Sequence, residues 1–177
     1  MPVLAYFITF HTYGSWLHGR DRGSVDRDHN RPGTPMLPPD ALREAAEFAE
    51  LKHPPIELCA ERRYVVHHTI EEVCAYRKWI LKVHHVRSTH VHVVVSAGTT
   101  PERVMNDLKG YSTRRMREVG VYAMDISPWS YHGSTRYIDS EESLVRAIKY
   151  VRDEQGSPLE MARPLGWDAA KSRRTPG

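Results

Sequence analysis

The chain has 177 residues, 40% of them hydrophobic and 27% charged, which suits one soluble domain with its own core and excludes a disordered polar chain. No apolar run approaches the roughly 20 residues of a membrane helix, and the opening MPVLAYFITFHTYG lacks the basic and small-residue flanks of a signal peptide. A net charge of +3 permits a polyanionic partner without demanding one.

In chain order, 3–12 (VLAYFITFHT) is β-branched and aromatic and is predicted to be a strand. The Gly-, Pro-, Asp- and Arg-rich segment 14–39 is predicted to be an inserted loop. Its arginines Arg20, Arg22, Arg27 and Arg31 are interleaved with acids, as on a solvated surface. Asp40 can cap a short helix over 41–52, ended by Pro54 and Pro55. A second helix is expected over about 60–77, with Val66, Ile70 and Val73 at helical spacing. Residues 79–97 divide into two strands joined near Arg87, Ser88 and Thr89. Thr99, Thr100, Pro101 and Glu102 then signal a helix start, with a hydroxyl cap, a proline in the first turn and a glutamate three residues after Thr99, and the helix running to about Val119. A short strand is expected over 134–138 and a capped helix over 139–156, opened by Asp139 or Ser140 and closed by Gly156. The order βαββαβ predicts a ferredoxin-like α+β fold, an antiparallel sheet with helices on one face, plus a further C-terminal helix carrying Tyr150. Residues 1–160 form one expected domain, and 161–177 are expected to be a basic, flexible tail.

The stretch 88-STHVHVVVSAG-98 carries the chemistry. Side chains two apart on a strand share a face. His90, His92, Val94 and Ser96 therefore point one way, while Val91, Val93 and Val95 point to the core. Two imidazoles on one rigid strand offer half of a divalent metal site, a nucleophile and base, or simply two surface histidines. His67 and His68 fall on a helix, and only one of His84 and His85 can share the face of His90. The last helix offers an apolar stripe of Leu144, Ala147, Ile148 and Val151, with Tyr150 and Glu154 on one edge and Gln155 on the apolar face. Alone, Tyr150 reads better as a core-edge aromatic with its hydroxyl in water than as a nucleophile. The stretch 109-KGYSTRRMR-117 holds Lys109, Arg114, Arg115 and Arg117 and no acid, which suits a phosphate backbone or a solvated helix face. Cys59 and Cys74 form no metal-type pair and read as reduced thiols of a cytosolic protein.

Together, His90-Val91-His92, 108-LKGYSTRRM-116, 150-YVRDEQG-156 and the opening 5-AYFITFHTYGSWLHG-19 resemble the single-tyrosine HUH transposases, REP-associated tyrosine transposases included. The resemblance covers most of residues 3–157. It implies a cytoplasmic, bacterial-type, nucleoid-associated enzyme that cleaves and rejoins single-stranded DNA beside a hairpin. Tyr150 would be the nucleophile and would form a 5′-phosphotyrosine link. His90, His92 and a polar residue would hold Mg²⁺ or Mn²⁺. Helical phase favours Glu154 as that third ligand, chemical type Gln155. Arg87, Lys109, Arg114, Arg115 and Arg117 would meet DNA, and Tyr111 is a second candidate nucleophile. A homodimer, with the tyrosine acting in its own or the partner's site, is compatible with the family. A hairpin-binding protein without cutting activity is the main alternative. A histidine-triad hydrolase would want a third alternating histidine where Val94 stands, and a cupin would need more strands.

Overall fold

Burial alternates along residues 8–12 because one face of the strand packs into the main core while the other is only partly covered. The computed structural model describes residues 2–15 and 41–172, so most of the 14–39 insertion, Asp40 and the end of the tail lie outside the described residues. The elements are β1 (Ala5–Thr12), α1 (Ala41–Ala49), α2 (Ala60–Arg77), β2 (Ile80–Val86), β3 (His90–Ser96), α3 (Pro101–Glu118), β4 (Trp129–Ile138), α4 (Glu141–Asp153) and α5 (Trp167–Ser172). The strands form one antiparallel sheet in the order β2-β3-β1-β4. With α2 and α3 as the crossovers, this is the expected ferredoxin-like plan.

The valine face of β3 behaves as its alternation predicts. Val91, Val93 and Val95 join Ile8 and Phe10 of β1 in the main core, against Val66, Ile70 and Val73 of α2 and Val104, Leu108 and Met116 of α3. Val94 faces the other way. It packs with Ala5, Ile138, Ala147 and Val151, flanked by Phe7, Val83, Leu144 and Ile148. The apolar stripe of α4 therefore lies on the histidine face of the sheet. Cys74 is buried in the main core and Cys59 is exposed; both are free thiols.

Three expectations shift. The helix cap falls on Thr100, whose hydroxyl accepts from Arg103 N at 3.4 Å. Pro101 takes the first helical position, where its missing N–H costs nothing, and Glu102 accepts from the Thr135 hydroxyl at 2.8 Å rather than reaching back. The last strand is longer than 134–138, starting at Trp129 and including Gly133. A Cβ there would sit 2.5 Å from both Met105 Sδ and Thr9 O, so glycine marks a close approach of α3 and β1. The third shift is in the tail. Residues 167–172 form α5, and Trp167 is only 2% exposed.

Candidate active site

Antiparallel pairing puts directly opposed residues on one face. His90 and His92 stand opposite His11 and Thr9 of β1, and His92 also stands opposite His85 of β2. Four histidines from three strands thus share the face covered by α4. His85 is the member of the His84-His85 pair that shares it. His11 was not foreseen as part of this group, although its alternation with Phe7 and Thr9 on β1 was visible in the sequence.

His92 is the buried centre. Its Nδ1 is 2.7 Å from Thr9 Oγ1, which fixes the ring and leaves Nε2 for another partner. The ring lies 4.9 Å from His90, 5.6 Å from Phe7 and 5.7 Å from Tyr150, centroid to centroid. The Gln155 side chain pushes the His92 pKa upward, against the larger effect of burial. The helix carrying Tyr150 therefore returns to the histidine strand of its own chain. His85 helps to hold it there, with Nδ1 3.2 Å from Val151 O.

Glu154 and Gln155, the two candidate third ligands, differ in their surroundings. α4 ends at Asp153, and Glu154 has left helical geometry at φ −110°, so extrapolated helical phase no longer applies at residues 154 and 155. Glu154 is exposed and lines an open cleft, whereas Gln155 is half-buried, raises the His92 pKa, and donates its amide to Tyr150 O at 3.2 Å. Two imidazoles and an amide oxygen would make a mixed nitrogen and oxygen donor set. That set suits Mn²⁺ somewhat better than Mg²⁺, which favours oxygen alone.

Burial drives the electrostatics. His92 is lowered to about 3, first by desolvation and then by His90 and His11. His11 is lowered to about 4 by burial, with His90 and Lys109 adding to it. On the opposite face His84 is lowered to about 3, again mainly by burial. All three stay neutral near pH 7, the form that ligates metal. In the unfolded chain they would titrate near 6.5. The folded state thus refuses protons that the unfolded state accepts. Their contribution to stability is complete above about pH 6.5 and is lost as pH falls toward 4 to 3. The metal-free protein should show a lower urea midpoint at pH 5 than at pH 7.5; equal midpoints would mean that these rings are not buried neutral.

Beside Tyr150 opens a cleft of about 580 Å³ lined by Phe7, Arg136, Arg146, Lys149, Tyr150 and Glu154, among others. The Arg136 guanidinium lies over the Phe7 ring at 5.3 Å. Arg146 is paired with Glu142 at 2.7 Å, and Arg136 and Lys149 keep the lining net positive against Glu154, which suits a phosphate chain. None of these cations stood out in the sequence, because each is separated from the others by helix or strand spacing.

The cations that did stand out are elsewhere. α3 packs on the core face of the sheet, opposite the histidines. Lys109 is buried, and its Nζ donates to Ser130 O at 2.9 Å and His132 O at 3.2 Å, tying α3 to β4. Arg115 is fully buried, 4.5 Å over the Trp167 ring and paired with Glu118 at 3.5 Å. Neither side chain is turned toward a DNA-accessible surface, a correction to their expected role. Arg117 donates to Met124 O and Ile126 O, holding the turn after α3. Arg114 is exposed and stacks on Tyr111 at 5.0 Å. Tyr111 therefore lies with α3, away from the histidines. Arg87 does flank the site, donating to Ser157 O at 2.6 Å just past Gln155.

Residues 58–132 match the family model described as Transposase IS200 like. The motif resemblance is borne out over that stretch, which holds His90 and His92 and stops before α4. No curated protein matches the chain. Among solved structures, a REP-associated tyrosine transposase bound to a REP hairpin aligns over 85% of this chain and 67% of its own, at 11% identity and a TM-score of 0.46. A protein assigned as a transposase in Deinococcus radiodurans R1 aligns over 92% and 95%, at 16% identity and a TM-score of 0.37. Among the described residues no helix is long and apolar enough to cross a membrane.

Proposed function

We propose that this protein is a transposase that cleaves and rejoins single-stranded DNA through a covalent Tyr150 intermediate. One observation carries the reading: within one chain, the Tyr150 ring lies beside the buried His92 and at the edge of a cationic cleft. The match of residues 58–132 to IS200-like transposases supports the same class.

His90, His92 and Gln155 would hold a divalent cation, Mn²⁺ or Mg²⁺. When bound, such an ion polarises a scissile phosphate and favours the phenolate over the phenol. The chain's own residues do the rest. Thr9 orients His92 through Nδ1, and Phe7 and Val94 form an apolar floor under α4. Arg136, Arg146 and Lys149 would align the strand along the cleft. Tyr150 Oη attacks phosphorus; an Oη–P bond forms and the O3′–P bond breaks. The phenolic proton passes to water, and the departing 3′-oxygen takes one up. The phosphotyrosine ester keeps the energy of the broken bond, so attack by a 3′-hydroxyl rejoins DNA without a nucleotide cofactor. Hairpin DNA beside the scissile strand is the partner this reading expects, and a homodimer is not needed to complete the site.

The test is incubation of the full chain with end-labelled single-stranded DNA and Mn²⁺ or Mg²⁺. A denaturation-resistant adduct should form only with metal, carry the 5′ end of the downstream fragment, and map to the peptide containing Tyr150. DNA binding with no adduct under any metal condition would leave a hairpin-binding protein instead. Within the reading, Gln155→Ala should raise the Mn²⁺ concentration for half-maximal cleavage by roughly 10–100-fold. Glu154→Ala should move it little, and the reverse ranking would make Glu154 the ligand.

A further inference from the structure

A second group of ligating side chains lies on the other face of the sheet, apart from the His90 and His92 site. His67 and Glu71 are one turn apart on α2, and His84 reaches them from β2. His84 Nε2 is 2.9 Å from His67 Nδ1, and His67 Nε2 is 3.5 Å from Glu71 Oε1. One ligand atom from each of the three residues lies within 4.8 Å of the others. Two imidazoles at Zn–N of about 2.0–2.1 Å in a tetrahedral site stand a little over 3 Å apart, so only a small spread of the rings is needed. His84 is held by the sheet, opposite Val93, while His67 and Glu71 are partly exposed. The group is thus rigid on one side and open to solvent on the other.

We propose that His67, Glu71 and His84 form a second metal site, for Zn²⁺ or a similar first-row ion, with water completing the coordination. Two imidazoles and a carboxylate with one open position form a donor set that zinc accepts, as in catalytic zinc sites built from the same three ligand types. The ion would cross-link α2 to β2. Its role follows from the strand: His84 is followed by His85, whose ring faces His92 and contacts Val151 of α4. Fixing His84 from one face therefore fixes the strand that supports α4 on the other. The competing account is a hydrogen-bonded Glu71–His67–His84 chain with no ion.

Co²⁺ serves as the probe, since tetrahedral nitrogen and oxygen coordination gives visible absorption that octahedral coordination largely lacks. Metal-stripped full-length protein should develop such a band on Co²⁺ addition, and Zn²⁺ should bleach it. The band should persist in Gln155→Ala and Tyr150→Phe and vanish in His67→Gln. In Glu71→Gln, a change at an exposed position that leaves the fold intact, the Co²⁺ needed should rise at least tenfold. Zn²⁺ at about 100 times its parental Kd should raise Tm by roughly 5–10 °C in Gln155→Ala and by about half of that or less in Glu71→Gln. A band indifferent to Glu71→Gln and His67→Gln, or one lost in Gln155→Ala, would overturn the proposal, as would the absence of any band in the parent chain. DNA cleavage is read separately, so the two sites succeed or fail independently.

Discussion

Tyr150→Phe should fold like the parent chain, form no covalent DNA adduct, and lose cleavage by on the order of 10³-fold or more. The fold should survive because the ring, not the hydroxyl, makes the packing contacts, edge-on to Phe7 at 5.9 Å and to His92 at 5.7 Å. Phenylalanine keeps both, and the residue is 40% exposed, so little burial is at stake. Under the proposed chemistry there is no such reserve, since the variant lacks the oxygen that would bond to phosphorus. Tyr111 offers no substitute. It sits on α3, beneath Arg77 and Arg114, across the sheet from His90 and His92. Metal binding at His90, His92 and Gln155 should remain, so Mn²⁺ should still tighten single-strand binding. An adduct of unchanged yield in Tyr150→Phe would remove this tyrosine from the chemistry while leaving the histidine site intact.

How much of the fold and site was legible in the sequence depended on whether the signal was local. Period-two alternation in HVHVVVS sorted the strand into a core face and a histidine face, and the stripe on α4 gave the docking side of that helix. Both signals are set by backbone geometry alone. His11 and the Arg136, Arg146 and Lys149 cleft depend on strand register and on which face receives α4, which no local window contains. The basic run 109–117 misled for the opposite reason. Clustering in sequence distributes residues around a helix, and Lys109 and Arg115 fall on its buried side, where backbone carbonyls and an aromatic face hold their charge. Helical phase at Glu154 and Gln155 depends on where α4 stops, and a helix end is the least readable feature of a pattern.

Trp167→Ala should cost about 3–5 kcal/mol, the range for emptying a buried large aromatic site, and against a typical stability of about 5–15 kcal/mol that is enough to threaten folding at 37 °C. Residue 160 was a plausible end of the domain because residues 161–177 are rich in polar and basic side chains. The tail instead returns to the helices of the core face. Trp167 meets Tyr64 edge-on at 5.3 Å and His68 at 5.6 Å, and its ring covers the Arg115 guanidinium at 4.5 Å. Gly166 permits the approach, since a Cβ there would stand 2.5 Å from Val119 O. Removing the indole therefore does more than empty a space. It leaves a buried cation whose Nε and Nη2 already have no hydrogen-bond partner, facing Glu118 at 3.5 Å and Glu72 at 4.0 Å. Arg115→Met in the Trp167→Ala background should recover part of the loss, because it removes the charge while keeping a similar apolar volume. Urea unfolding of the parent chain, the single variant and the double variant separates the terms. If Arg115→Met restores nothing, the cost is the cavity alone, and if Trp167→Ala itself costs under about 1 kcal/mol, residues 161–172 are not part of the folding unit.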